Sequence, residues 1–255
     1  MASDYGSFVW HDLMTTDTES AKKFYGEVAG WGIQPFEGSP YTFWMNGGDM
    51  IGGMMPISDE MRSNGVKPNW IASVGVEDVD ATVAKTTELG GTIVAPPMDM
   101  PDIGRYAIIA DPQGASLAIF KSIGELPGHG GAPRMGEFSW HELMTTDYVA
   151  AFDFYSTLFG WEKMQEHDMG PVGIYLEYGR NGQHYGGMFN RHSDMPPTPE
   201  WYCYIKVADA KATAETMTRL GGELMAGPME VPGGDWIAIG ADPQSAKFAV
   251  HAAKG

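Results

Sequence analysis

The decapeptide FVWHDLMTTD at Phe8 to Asp17 returns as FSWHELMTTD at Phe138 to Asp147, identical at eight of ten positions. Behind each copy come Phe-Tyr (Phe24-Tyr25, Phe154-Tyr155) and then Gly-Trp (Gly30-Trp31, Gly160-Trp161), at the same spacing. A repeat this long at a constant offset means a duplicated domain, so the chain has to fold as two copies of one design. Its 255 residues suffice for two domains that each bury a core.

Within a half the hydrophobic period changes from two to 3.6 and back. Residues 7–14 alternate, with Phe8, Trp10, Asp12 and Met14 on one face and Val9, His11 and Leu13 on the other, which predicts a strand. Thr16-Asp17 then caps a helix whose apolar residues are Ala21, Phe24, Tyr25 and Val28, and Gly30 ends it. Gly and Pro signals mark short strands near 32–36, 41–46 and 50–56. A loop over roughly 58–68 leads to a second unit of the same type. It has a strand at 70–76, a helix at 78–89 ended by Gly90-Gly91, and strands near 92–95, 104–110 and 115–121. The second half repeats the plan, with a strand at 137–144, a helix at 147–159 and strands near 162–166, 173–178 and 184–190. After a loop at 191–199 that holds three prolines, its second unit opens at Trp201-Tyr202 and has a helix at 210–220. ADPQSA at 241–246 matches ADPQGA at 110–115. The expected fold is α+β: four βαβββ units paired into two half-open barrels. The domains run over 1–122 and 137–255, joined by a Gly/Pro-rich linker at 123–136.

A formal net charge of −17 argues against nucleic acid and anionic membrane surfaces as partners. The single cysteine, Cys203, sits in the apolar run WYCYIKV and reads as a buried small hydrophobe, which suits a reducing compartment. The start MASDYGSFVW has no signal-peptide character, and no apolar run reaches the length of a membrane span. A cytoplasmic protein without nucleic-acid or membrane partners is expected.

The succession of a strand, Thr-x-Asp, a helix with Phe-Tyr, Gly-Trp, then Leu-Gly-Gly and Asp-Pro-Gln before a last strand resembles the vicinal oxygen chelate superfamily. That group includes glyoxalase I, bleomycin-resistance proteins and extradiol dioxygenases. The pattern W-x-[DE]-L-x-T-x-D resembles its tandem glyoxalase-like branch in particular, and the likeness covers about 7–122 and 137–252. The resemblance implies a divalent metal in each barrel. Its ligands would be a His or Gln on the first strand, a His on the strand opening the second unit, and a Glu on the last strand. Carried over, these positions fall on Trp10 and Trp140, near Ile71 and on Tyr202, and on Ala118 and Ala249. None is a metal ligand, so no cofactor is expected, and a divalent metal rests on the resemblance only. His11 and His141 lie one residue from the ligand position, which turns them to the opposite face of the strand. They are expected to be hydrogen-bonded packing residues, and only a bulge would make them ligands. His184 and His251 read as surface residues.

What remains for the barrel interiors is aromatic and slightly acidic. The first would hold Trp10, Asp12, Met14 and Ser73, the second Trp140, Glu142, Met144, Tyr202 and Tyr204, with Met54 and Met188 at the mouths behind the double glycines. Such a lining suits a flat or cationic small molecule. Asp12 and Glu142, each two residues from a tryptophan, are the candidate general bases, because partial burial raises a carboxylate's pKa. The expected function is metal-independent binding of a small organic ligand. The alternatives are a glyoxalase-like lyase or dioxygenase with a divalent metal, a metal-free enzyme using Asp12 or Glu142, and an interaction protein with filled barrels. Four units in one chain make a monomer feasible and leave a homodimer open.

Overall fold

The structure is a computed structural model and describes residues 5–124 and 131–254; the middle of the expected linker, 125–130, lies outside them. The first module is β1 (Phe8–Thr15), α1 (Thr18–Ala29), β2 (Gly32–Pro35), β3 (Thr42–Asn46) and β4 (Asp49–Pro56). After a short α2 (Asp59–Ser63) come β5 (Asn69–Gly75), α3 (Val79–Glu88), β6 (Thr92–Met100), β7 (Gly104–Ala110) and β8 (Ser116–Ser122). The second half gives β9 (Phe138–Thr145), α4 (Tyr148–Phe159), β10 (Glu162–Asp168), β11 (Ile174–Arg180) and β12 (Gln183–Asn190). Its last module is β13 (Glu200–Lys206), α5 (Ala210–Arg219), β14 (Glu223–Glu230), β15 (Trp236–Ala241) and β16 (Lys247–Ala252).

The repeated Thr-Thr-Asp is a helix start. The Asp17 carboxylate accepts from Ser20 N at 3.0 Å, and that of Asp147 accepts from Val149 N and Ala150 N at 3.1 Å. Asp78 and Asp209 cap α3 and α5 in the same way. Gly30 and Gly160 close α1 and α4 at φ +75° and +67°, a left-handed conformation that only glycine adopts without strain.

The strands form two eight-stranded sheets, neither closed, one from each sequence half. Their orders are β2-β3-β4-β1-β5-β8-β7-β6 and β10-β11-β12-β9-β13-β16-β15-β14. Two local expectations are corrected. The stretch 58–68 is not all loop, because Ser58 accepts from Met61 N at 3.1 Å and so starts α2. β6 runs to Met100 rather than ending near 95, although it contains Pro96 and Pro97. It is an edge strand with register shifts at Ile93/Ala95 and Ala95/Met98, where a missing N–H is tolerated.

The chain divides into two compact units, and each joins modules from both halves. One holds 10–70, 131–139 and 203–254; the other holds 5–9, 71–124 and 140–202. In the first unit the centre is Tyr25 of α1, ringed by Trp31, Trp44, Trp70 and Phe248 at centroid distances of 5.3–5.6 Å. Its hydroxyl accepts from Trp70 Nε1 at 2.8 Å and donates to Asp242 Oδ2 at 3.2 Å. In the other unit Tyr155 of α4 accepts from Trp201 Nε1 at 3.2 Å and donates to Asp111 Oδ2 at 3.1 Å. Trp31 Nε1 and Trp161 Nε1 each donate to a backbone carbonyl at 2.6 Å, of Gly136 and Gly6 respectively. Each aromatic residue buried this way stabilises its unit by about 1.5–3 kcal/mol, provided its polar atom is paired. The Phe-Tyr, Gly-Trp and Asp-Pro-Gln motifs are therefore the parts of two cores. Among the described residues no helix is long and apolar enough to cross a membrane.

Candidate functional site

β1 and β9 each present two different faces. On β1, His11, Leu13 and Thr15 are buried, whereas Trp10, Asp12 and Met14 are half-buried on the opposite face. On that half-exposed face Trp10 Nε1 donates to Tyr41 Oη at 2.8 Å and more weakly to Asp12 Oδ1 at 3.2 Å. The Tyr41 hydroxyl in turn donates to Asp12 Oδ1. Phe43, two residues along from Tyr41, stands edge-on to Trp10 at 6.2 Å and to Tyr41 at 5.3 Å. The result is an indole–phenol–carboxylate chain with an aromatic flank.

The other unit carries the same chain. Trp140 Nε1 donates to Tyr175 Oη at 2.8 Å, and Tyr175 Oη donates to Glu142 Oε2 at 2.9 Å. Glu142 is buried and Trp140 half-buried. Tyr202 is buried in the same unit, and its hydroxyl donates to Glu200 Oε2 at 3.2 Å.

Electrostatics give the members unequal roles. Burial pushes the Asp12 carboxyl up to about 6, against the pull of hydrogen bonds from Tyr41 and Trp10. Burial and then the Asp12 charge push the Tyr41 phenol far upward. Tyr175 is raised likewise, by burial and then by Glu142. Both phenols therefore stay protonated and act as fixed donors. On the β1 face the carboxylate is the group that titrates near neutrality, so it can hold a cation or accept a proton.

Two glycines make this arrangement possible. A Cβ on Gly53 of β4 would run into the Tyr41 ring and hydroxyl, and one on Gly187 of β12 would run into the Tyr175 ring. The second glycine of each Gly-Gly pair thus lets a tyrosine lie flat over the neighbouring strand and reach the carboxylate. Met54 and Met188, placed at cavity mouths from the sequence, are fully buried instead. Met54 pairs with Leu13 and Met188 with Leu143, on the inward parity of their strands. Tyr41 and Tyr175 were missed by the sequence reading. The available signal was the repeat itself, since both lie three residues before a large aromatic (Trp44, Tyr178) and a fixed distance ahead of the double glycine.

The remaining candidates lie as follows. Ser73 is buried on β5 opposite Ala118, and Tyr204 is buried on β13 opposite Ala249. Met144 is buried on β9. His11 stacks on Phe138 at 3.7 Å. His141 stacks on Phe8 at 3.5 Å and its Nδ1 lies 3.3 Å from Tyr185 O. Burial holds the His141 imidazole down at about 3, hence neutral. Cys203 is buried with its thiol within 4.8 Å of a His11 ring nitrogen, and burial pushes that thiol up to about 12. His251 meets Asp235 Oδ2 at 2.8 Å and Ser139 Oγ at 3.1 Å. His184 meets Glu177 Oε2 at 2.7 Å. A surface cleft of about 460 Å³, lined by Glu27, Asn46, Lys206 and Asp209 among others, lies away from Asp12 and has no comparable chemistry.

The family model described as the Glyoxalase/Bleomycin resistance protein/Dioxygenase superfamily matches residues 7–119 and 137–250. The chain belongs to this superfamily. One superfamily relative, "Putative glyoxylase CFP32" of Mycobacterium tuberculosis, is 33% identical over 250 residues, covering 94% of this chain and 92% of the relative. The "Anthracycline biosynthesis protein DnrV" of Streptomyces peucetius is 26% identical over 260 residues, covering 96% and 92%. The Mn(II)-bound glyoxalase from Novosphingobium aromaticivorans shares the fold with a TM-score of 0.66 at 13% identity, over 97% of this chain and 82% of that one. The 2,3-dioxygenase LapB from Pseudomonas sp. KL28 also has a TM-score of 0.66, at 12% identity over 100% and 94%.

The superfamily's metal implies ligands that this chain does not place. Trp10 and Trp140 are indole donors committed to Tyr41 and Tyr175. Tyr202 is committed to Glu200. Ala118 and Ala249, at the Glu positions, are buried with no donor atom. The residues at these positions do not fit the metal.

Proposed function

We propose that this superfamily member binds a small organic molecule against each of the two Trp–Tyr–carboxylate faces, without a metal at the superfamily's usual positions. The observation that carries this reading is the duplication of one polar chain on a half-exposed aromatic surface, kept in register by Gly53 and Gly187. An aromatic wall with a carboxylate held in place by a phenol accepts a planar molecule that bears a positive charge or a hydrogen-bond donor. The test is equilibrium titration with a planar cationic dye such as acridine orange, followed by anisotropy. Saturable binding that is lost in Tyr41→Phe combined with Tyr175→Phe supports the reading. Binding indifferent to both substitutions contradicts it.

A second reading is favoured by Asp12. A carboxylate raised to about 6 and held in place by the Tyr41 hydroxyl is suited to taking a proton from a bound carbon or oxygen acid. In this reading the protein is a metal-free lyase or isomerase of the glyoxalase type. Turnover of a 2-oxoaldehyde–thiol adduct that survives exhaustive chelation and disappears in Asp12→Asn would establish it. Turnover that disappears on chelation would contradict it.

A further inference from the structure

The two repeats differ in a triplet beside the shared chain. In the first module the triplet is apolar. Phe43 follows Tyr41 by two residues, Phe36 donates its backbone N–H to Tyr41 O, and Met50 pairs with Met45 across the β3–β4 ladder. Phe36 and Phe43 pack edge-on at 5.6 Å. In the third module the corresponding residues are Glu177, two after Tyr175; His167, paired with Tyr175; and His184, paired with Gly179. All three positions carry metal-ligating side chains where the first module presents carbon surface. They also come from three adjacent hydrogen-bonded strands, β10, β11 and β12.

The three side chains form a chain through Glu177. His167 Nε2 lies 2.6 Å from Glu177 Oε1, and His184 Nδ1 lies 2.7 Å from Glu177 Oε2. Both carboxylate oxygens are thus held by imidazole nitrogens, and the side chains are 23%, 18% and 42% exposed for His167, Glu177 and His184. Glu177 shares the face of Tyr175, and the His167 ring centroid is 6.4 Å from the Tyr175 ring.

We propose that His167, Glu177 and His184 form a binding site for a divalent transition ion of the zinc class. Two imidazoles and a carboxylate are the donor set that borderline cations such as Zn²⁺, Co²⁺ and Ni²⁺ take, with a position left for water or a ligand. A tetrahedral ion with bonds of about 2.0 Å needs about 3.3 Å between two ligand atoms, more than either N···O contact, so both imidazoles draw back from Glu177 to admit it. The imidazoles meet different oxygens of Glu177, so shared coordination requires the nearly half-exposed His184 to turn toward the ion. The net charge of −17 draws cations to the chain. This site is not at the superfamily's metal positions, and nothing equivalent is built from Phe36, Phe43 and Met50. The ion would stand beside Tyr175 and leave the first repeat's face metal-free, giving the two faces different ligand chemistries.

The test uses untagged full-length protein, stripped with chelator and dialysed against Zn²⁺, with Co²⁺ visible absorption as a second readout. One equivalent is expected. Glu177→Gln and His184→Ala should each weaken binding at least tenfold. A triple variant carrying the first repeat's residues (His167→Phe, Glu177→Phe, His184→Met) should lose the ion and keep the far-UV circular dichroism of the parent. Cys203→Ser should keep the ion. Absence of binding, binding unchanged in Glu177→Gln and in the triple variant, or loss in Cys203→Ser alone would overturn the proposal.

Discussion

Asp12 is where sequence and chemistry meet most closely. It lies on the half-exposed parity of β1, and burial raises its carboxyl from 3.8 to about 6. A folded-state pKa above the unfolded one means that the folded protein binds the extra proton between these values. Its contribution to stability is therefore fully present below about pH 4 and is lost as pH rises through 6. Asp12→Asn removes that loss. The variant should be more stable than the parent at pH 7.5, by on the order of 1–2 kcal/mol after discounting for its partial exposure, and equal to it at pH 4. Urea denaturation at the two pH values checks this. Binding of a cationic probe at the β1 face should likewise appear with a midpoint near pH 6, since it needs the ionised carboxylate. Gly53 is the second test at this scale. Gly53→Ala drives a methyl into the Tyr41 ring and should destabilise by about 1–3 kcal/mol while abolishing probe binding. Gly48→Ala, where a Cβ meets nothing within 4 Å, should do neither; thermal melts and probe titrations decide. The carboxylates were legible because strand parity places them beside tryptophans. The tyrosines were not, because their partners come from a neighbouring strand, and a glycine's role as room for a ring shows only once the ladder register is known.

Strong local signals located most elements. Alternation marked β1 and β9, Asp marked the helix starts, and left-handed glycines marked the ends of α1 and α4. Where local signals conflicted the reading failed. Ser58 before Asp59-Glu60 is a cap followed by acidic first-turn residues, yet the short α2 was hidden among loop residues. Pro96-Pro97 argues against a strand unless the strand is known to be an edge. The repeated motifs join elements: the α1 tyrosine to the Asp of the β15–β16 turn, and the α4 tyrosine to the Asp of the β7–β8 turn. Tyr25→Phe and Tyr155→Phe each leave a buried indole N–H without its acceptor and a buried carboxylate without one donor. Each should cost about 1–3 kcal/mol in chemical denaturation, with the substituted unit melting first.

At the scale of the molecule, the repeat disclosed four modules but not how they share cores. Each sheet comes from one sequence half, whereas each compact unit combines modules from both. That division depends on contacts far apart in sequence, such as Phe24 and Tyr25 with Phe248, which no local pattern reveals. A chain cut to residues 5–122 therefore loses the cover over α1 and should appear as a dimer or aggregate in size-exclusion chromatography. A folded monomer would contradict this. The central claim is that the two Trp–Tyr–carboxylate faces are where ligand sits, and the indole N–H signals of the eight tryptophans in a ¹⁵N-edited NMR titration with the planar cationic probe test it most directly. The Trp10 and Trp140 signals should shift saturably while the buried core indoles of Trp31, Trp44, Trp70, Trp161 and Trp201 stay still. Shifts confined to other tryptophans, or none at saturating probe, would contradict the account.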